Sequence, residues 1–292
     1  MIAPIVIFAF NRPKALLRLK ESLEKNNLFA TSEKIVFIDG YRNEKEKEKV
    51  DEVIRIARTI TENVQISQVN KGLGTSIIEG ISSVIRQYGK AIVLEDDLIC
   101  SSNFLSFMNQ ALDFYQDDPR IFSICGYGLK IDKPKNYMGD IYLSGRSSSW
   151  GWGTWKDRWE QVDWEVKDWE SLSNDKKKQK AFNRNGSDMY DMLKDYMHGR
   201  NRSWAIRFCY SQFKLEKYSV CPFISKIEND GFGEDATNCK QHYSRFKADF
   251  DNTTNQTFLF PHSPEPDKKI MAACYKYHSL PIRIYSKLRN LI

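Results

Sequence analysis

Four short runs of apolar, β-favouring residues in the first hundred positions each stop on a polar group, with helical stretches between them. Ile2 to Phe10 (IAPIVIFAF) ends at Asn11-Arg12-Pro13, and Lys34 to Asp39 (KIVFID) is stopped by Gly40. Val64 to Val69 runs into Asn70-Lys71-Gly72-Leu73-Gly74, and Lys90 to Leu94 (KAIVL) is cut off by Glu95-Asp96-Asp97. The spacing of apolar residues predicts helices over Lys14 to Lys25, Asn43 to Thr61 and Thr75 to Tyr88. Parallel neighbours need a crossover, and the helices that make it cover both faces of the sheet. The expected fold class is therefore α/β, a mostly parallel Rossmann-like sheet flanked by helices. Ligands of such sheets bind beyond the carboxyl ends of the strands, so the four polar strand ends should meet in one crevice.

The rest of the chain reads as an α+β second half. Short strands are expected at Phe122 to Cys125 and Ile141 to Leu143, a helix at Trp204 to Leu215 and a strand at Ser219 to Ile227. Six of the seven tryptophans lie between Trp150 and Trp169. No repeat or low-complexity linker divides the chain, so we expect one domain with a ligand-binding half (1–112), an acceptor-side half (113–267) and a basic tail helix (268–292). The six cysteines (Cys100, Cys125, Cys209, Cys221, Cys239, Cys274) are widely spaced without a Cys-x-x-Cys pair, which points to reduced structural thiols rather than a zinc cage or disulfide scaffold.

Charge becomes informative when it is located. The net charge is +6, and Lys268, Lys269, Lys276, Arg283, Lys287 and Arg289 fall in the tail with no acid among them. The body is thus neutral, which disfavours a nucleic-acid binder that spreads bases over a face. In the tail, Ile284, Tyr285, Leu288, Leu291 and Ile292 recur at helical spacing. Two readings are open: a basic amphipathic helix lying on an anionic membrane surface, or a helix docked on the domain with a solvated edge. The longest purely apolar run, Ile5 to Phe10, is far short of the ~20 residues of a membrane span. With no secretory leader pattern at the start, the expectation is a cytoplasmic protein, peripheral on the inner face of the cell membrane if the first tail reading holds.

Three consecutive acids after a buried strand repel one another and lose hydration, and a divalent cation answers both problems. Oxygen-only ligands favour Mg²⁺ or Mn²⁺, with room left for substrate phosphates. The other reading is a solvated helix start, with Asp97 capping a helix over Ser101 to Phe114. Asn70 to Gly74 has too few glycines for a phosphate-binding loop or a dinucleotide fingerprint. A tight turn close to a bound ligand, which the resemblance given below would make the donor sugar or ribose, or a plain strand-to-helix turn, fits Asn70, Gly72 and Leu73.

The segments APIVIFAFNRP, FIDG, NKGLGTSIIEGI and AIVLEDDLICSSNFLSFMNQAL, in this order, resemble the nucleotide-sugar half of GT-A glycosyltransferases. The likeness is to bacterial polysaccharide glycosyltransferases (family 2-like) and to the N-acetylglucosaminyltransferase I group, whose metal motif is also Glu-Asp-Asp. It covers about residues 2–112 well, and extends loosely through SWGWGTW and CPFISKIENDGFG. The resemblance implies a metal-dependent, inverting glycosyltransferase using a nucleotide sugar, a UDP-hexose or UDP-N-acetylhexosamine. It implies Arg12 at the uridine diphosphate, Asp39 at the base, Glu95 at the ribose, Asp96 beside the metal and Asp97 as its ligand. The implied acceptor is a bacterial surface glycan, free or lipid-linked, such as capsule or lipopolysaccharide.

Inverting transfer needs a base for the acceptor hydroxyl. The resembled families often carry it in a Trp-Asp segment, but here Ala205 follows Trp204. The nearby acids in ENDGFGEDATNC make Asp235 the first candidate, then Glu234 and Asp230, and His242 is a candidate second metal ligand. Trp150 and Trp152 are candidates for stacking on a sugar ring, with core packing as the competing use of these rings. A noncatalytic glycan-binding protein and a sugar nucleotidyltransferase are the rival functions. The first would not need the Asp39 and Glu95-Asp96-Asp97 set, and the second usually has a Gly-rich basic loop after the first strand that FAFNRP lacks.

Overall fold

The structure, a computed structural model, describes residues 1–230 and 245–290. Its first half alternates β1 (Ile5–Ala9), α1 (Pro13–Leu23), β2 (Lys34–Ile38), α2 (Glu44–Arg58), β3 (Val64–Ile66), α3 (Leu73–Tyr88) and β4 (Lys90–Glu95). Local chemistry sets these boundaries. Pro13 opens α1 with its fixed φ, and Asn43 caps α2 by accepting the Lys45 N–H at 3.1 Å. Gly89, at φ 77°, closes α3 in the left-handed region that favours glycine.

The chain continues through β5 (Leu98–Cys100), α4 (Phe104–Phe114), β6 (Ile121–Cys125), β7 (Ile141–Ser144), β8 (Trp152–Trp155) and α5 (Lys156–Trp159). Then come α6 (Trp169–Asn174), α7 (Lys176–Phe182), α8 (Met189–Met197), α9 (Trp204–Lys214), β9 (Tyr218–Pro222), β10 (Ile227–Asn229), α10 (Lys268–Tyr277) and α11 (Leu280–Arg289). One sheet of order β3-β2-β1-β4-β8-β6-β9-β7 passes through both halves. β1 to β4 are parallel, β8 enters antiparallel between β4 and β6, β9 runs parallel to β6, and β7 closes the edge antiparallel. This is the α/β class expected, mostly parallel in its first half and mixed in its second.

The sheet is buried on both faces, which explains why its strands read as continuous apolar runs. On β1, Ile5, Ile7 and Ala9 pack with Leu16 and Leu19 of α1, Val53 of α2 and Phe104 and Met108 of α4. Val6 and Phe8 point to the opposite layer, with Ile77 and Ile81 of α3 and Trp204 and Phe208 of α9. Burying each large aliphatic or aromatic side chain in these layers contributes about 1.5–3 kcal/mol.

Three expectations are corrected, and one strand not anticipated from the sequence is added. The acid triplet does not lead into a helix capped by Asp97: Leu98 to Cys100 form β5, which pairs antiparallel with β10. The Ser219 to Ile227 strand is two strands, β9 in the main sheet and β10 beside β5. The Trp-rich stretch supplies β8, which joins the two halves of the sheet. The basic tail is two helices rather than one. α10 docks through Ile270 and Cys274 onto Tyr127, Tyr142 and Cys221, whereas α11 turns Leu280, Ile284, Tyr285 and Leu288 outward, each about half exposed. All five cysteines among the described residues are buried free thiols, as the reduced-thiol reading expects. No helix among the described residues is long and apolar enough to cross a membrane.

Candidate active site

A crevice of about 630 Å³ opens beyond the carboxyl ends of β1, β2, β3 and β4, where the four strand ends meet as expected. Arg12, Asp39, Asn70, Gly72, Leu73, Glu95, Asp96 and Asp97 all line it, so the residues that the sequence assigns to the donor side occupy one cavity. Its inner wall is aromatic: Phe8 and Phe37 stack at 5.2 Å between ring centroids. Gly80 of α3 lies beneath them, where an added Cβ would come within 2.9 Å of the Phe8 ring.

The acidic end is organised by Arg12. Its guanidinium bridges two carboxylates, pairing with buried Asp96 and donating from Nη1 to Asp97 Oδ2 at 2.8 Å. The second oxygen of Asp96 accepts the Phe10 N–H at 3.2 Å, so Asp96 ties the end of β4 to the end of β1. Burial and the Asp97 and Asp96 charges push the partly buried Glu95 carboxyl up to about 8, with Arg12 opposing. Burial also raises Asp96, to about 6, with Arg12 lowering it and Asp97 raising it. Asp96 and Asp97 share the one guanidinium, which leaves this end of the crevice short of positive charge.

Asp39 acts on the chain itself. Its Oδ1 accepts the N–H groups of Gly40 and Lys71 at 3.0 and 2.8 Å, and its Oδ2 accepts that of Gly72 at 2.8 Å. A carboxylate has about four acceptor positions, so little capacity remains for a base. Asn70 completes the turn by donating to the Gly40 carbonyl at 2.7 Å. Gly72, at φ 78°, then starts α3, whose cap position makes no side-chain hydrogen bond. The N-terminus of this 16-residue helix therefore offers backbone N–H groups and the positive end of its dipole at the crevice, where Gly72, Leu73 and Ser76 line it. The turn chemistry was visible in the sequence. The helix end as an anion site was not singled out there, nor was Arg202, whose Nη1 lies 3.8 Å from where a Gly72 Cβ would stand.

Other sequence candidates fall elsewhere. Trp152 is 1% exposed and stacks on Trp159 and Trp204 with centroids 5.8 and 4.9 Å away. It is a core residue of β8 and does not reach a sugar, which corrects its assignment. Trp150 is partly buried, meets Tyr127 edge-on at 4.7 Å, and lines a different cavity. Asp230 lies beside the acid triplet, its N–H donating to the Asp97 carbonyl at 2.9 Å, but its carboxylate pairs with Arg18 at 2.5 Å. Asp235, Glu234 and His242 lie outside the described residues.

No group of three or more His, Cys, Asp or Glu side chains among the described residues is arranged to hold a metal ion. The donor set fits a more open site. Asp97 Oδ1 accepts no hydrogen bond among the described residues, and Mg²⁺-type ions are commonly held by one or two carboxylates plus substrate phosphates and water.

No family model matches the chain. Among solved structures it is similar to GalNAc-T7 with UDP, GalNAc and Mn²⁺ (12% identity, TM-score 0.45, covering 78% of this chain and 43% of that one). It is also similar to the mannosyltransferase PcManGT from Pyrobaculum calidifontis in complex with GDP-Man and Mn²⁺ (7%, TM-score 0.36, 54% and 46%). A third likeness is to S. aureus TarS (14%, TM-score 0.33, 51% and 26%). The chain spans less than half the length of each. TM-scores below 0.5 are too low to assign an activity.

Proposed function

We propose that the chain is a metal-dependent, inverting GT-A glycosyltransferase that moves a hexosyl or N-acetylhexosaminyl group from a UDP-sugar to a glycan acceptor. The observation that carries the reading is the crevice. Polar ends of four parallel strands, a turn held by Asp39, an uncapped helix N-terminus and an acid cluster short of positive charge line one cavity. A nucleoside diphosphate matches this set. The N–H groups that open α3, with Lys71 and Arg202 close by, suit the diphosphate, and the stacked Phe8 and Phe37 wall gives an apolar surface beside it.

Asp97 would hold a Mn²⁺ or Mg²⁺ ion together with the donor's phosphates, and Glu95 would meet the ribose. When bound, the ion neutralises the departing diphosphate. Arg12 holds Asp96 and Asp97 in position. Asp235, or failing it Glu234, is our candidate to take the acceptor proton, on sequence grounds. The burial of Trp152 weighs against a glycan-binding module built on the tryptophan cluster.

We also assign the acceptor to a bacterial surface glycan and the protein to the cytoplasmic membrane surface. α11 supports this: Leu280, Ile284 and Leu288 follow one another at four-residue spacing on its exposed face, and Lys287 and Arg289 flank them. An outward apolar stripe edged with bases complements an anionic bilayer.

Release of UDP from a panel of UDP-sugars, with and without Mn²⁺, tests the function. Slow metal-dependent release from at least one sugar is expected. No release from any sugar, or release indifferent to EDTA, would contradict the proposal.

A further inference from the structure

A second cavity of about 270 Å³ is lined among others by Tyr127, Arg146, Ser147, Trp150, Phe246 and His278. The two cavities share a wall. Ser203 and Ala205 line the second cavity, while the neighbouring Arg202 carbonyl stands 2.7 Å, and Trp204 Cβ 3.9 Å, from where a Cβ on Gly74 of α3 would be.

Positive charge collects around this second cavity. Arg146 and Arg184 line it, and Arg245 and Arg283 lie within electrostatic reach of His278 and Asp188. Asp188 is paired with Arg146 at 2.7 Å, and Arg283 donates to the Ser187 hydroxyl at 3.3 Å. Among the described residues, Arg184 and Arg245 form no ion pair. Arg245 Nε and His278 Nδ1 are buried and have no hydrogen-bond partner. His278 is 8% exposed. Its burial, and then the charges of Arg146, Arg245 and Arg283, hold its pKa down to about 3, so the ring is neutral and Nδ1 can donate or accept according to tautomer. Unpartnered buried groups of this kind are costly unless a ligand completes them.

We propose that this cavity binds the phosphate or diphosphate group of a phosphorylated acceptor. Four guanidinium groups against one carboxylate leave an excess matching a multiply charged anion better than a single carboxylate, and the arginine fork suits phosphate oxygens. Trp150, Tyr127 and Phe246 give the remaining wall an aromatic surface for the sugar or chain attached to that phosphate. Because Met271, Cys274 and His278 of the wall belong to α10 and its end, the site lies next to the helix pair whose second member turns its apolar side outward. The assignment rests on the glycosyltransferase reading for the word acceptor, but not for the anion site itself.

Calorimetric titration of the full chain with inorganic diphosphate and with farnesyl diphosphate, in EDTA, tests the site against the double variant Arg184→Gln, Arg245→Gln. Any diphosphate taken up by the nucleotide crevice is common to both proteins, so the difference reports the second cavity. The variant is expected to bind diphosphate at least tenfold more weakly, with UDP affinity in Mn²⁺ unchanged within twofold. Arg245→Lys, which keeps the charge, should stay within a few-fold of the wild type. Tighter binding of farnesyl diphosphate than of inorganic diphosphate identifies a lipid-linked source, and equal binding a soluble phosphorylated one. Equal affinity of wild type and double variant for both probes would overturn the site. Failure of UDP to bind would sink the donor reading and leave this result standing.

Discussion

Asp39 and Arg12 have jobs that their sequence neighbours do not reveal. Asp39 follows a strand and precedes a glycine, a natural place for a ligand-reading carboxylate, yet it accepts three backbone N–H groups and so shapes the turn that starts α3. Asp39→Ala leaves those donors unsatisfied at a largely buried site. It should cost about 1–3 kcal/mol in urea unfolding and weaken UDP binding together with it. A variant as stable as the wild type with normal UDP affinity would show that the turn does not depend on Asp39. The strand-end position of Arg12 was legible, but its partners were not, because they lie 84 and 85 positions away. Trp152 reads in sequence as one ring of a glycine-rich aromatic motif. Only the insertion of β8 between β4 and β6 determines that it faces inward.

At the scale of elements, β1 to β4 and their helices were legible because each follows from local pattern: apolar runs, Pro13 at a helix start, the Asn43 cap and the Gly89 stop. β5 and β10 were missed in their proper form, since each has three residues and exists through pairing with the other more than a hundred positions away. The same non-local logic ties the segment after the undescribed stretch to the core. Lys226 and Asp251 form a buried ion pair, and Asp251 also accepts from Asn103 at 3.0 Å and from the Thr253 N–H at 2.8 Å. Burial alone would raise the Asp251 carboxyl, but Lys226, Thr253 and Asn103 pull it down to about 2. A folded pKa below the unfolded value of 3.8 means that the folded chain binds fewer protons there. Its stabilisation is therefore present above about pH 4 and is lost as pH falls toward 2. Asp251→Asn should lose about 3–5 kcal/mol at pH 7, since it leaves Lys226 buried without its partner. Melting curves from pH 7 to pH 2 should show the two proteins converging at the acid end. A constant gap would exclude the titration.

α11 belongs to the same scale. Ile284 and Leu288 are 49% and 54% exposed, so Ile284→Asp with Leu288→Asp should leave the melting temperature nearly unchanged. Binding to vesicles containing anionic lipid should fall by tenfold or more, and wild-type binding should weaken as salt rises. Vesicle binding unaffected by the double change would remove the membrane surface from the account.

For the whole molecule, one eight-stranded sheet carries a crevice at the strand ends of its parallel half and, across the Arg202 to Ala205 wall, a cationic cavity in its mixed half. In our proposal the crevice is the donor site and the cationic cavity the acceptor site, on either side of the start of α9, and the acid end of the crevice is where this proposal is most exposed. The direct measurement is a calorimetric titration of UDP into the wild type and Asp97→Asn, each with and without Mn²⁺. The wild type should bind UDP at least tenfold more tightly with the metal, whereas Asp97→Asn should lose that gain and keep a native melting profile. Metal-dependent UDP binding that survives intact in Asp97→Asn, or no UDP binding by the wild type, would contradict the assignment of this crevice.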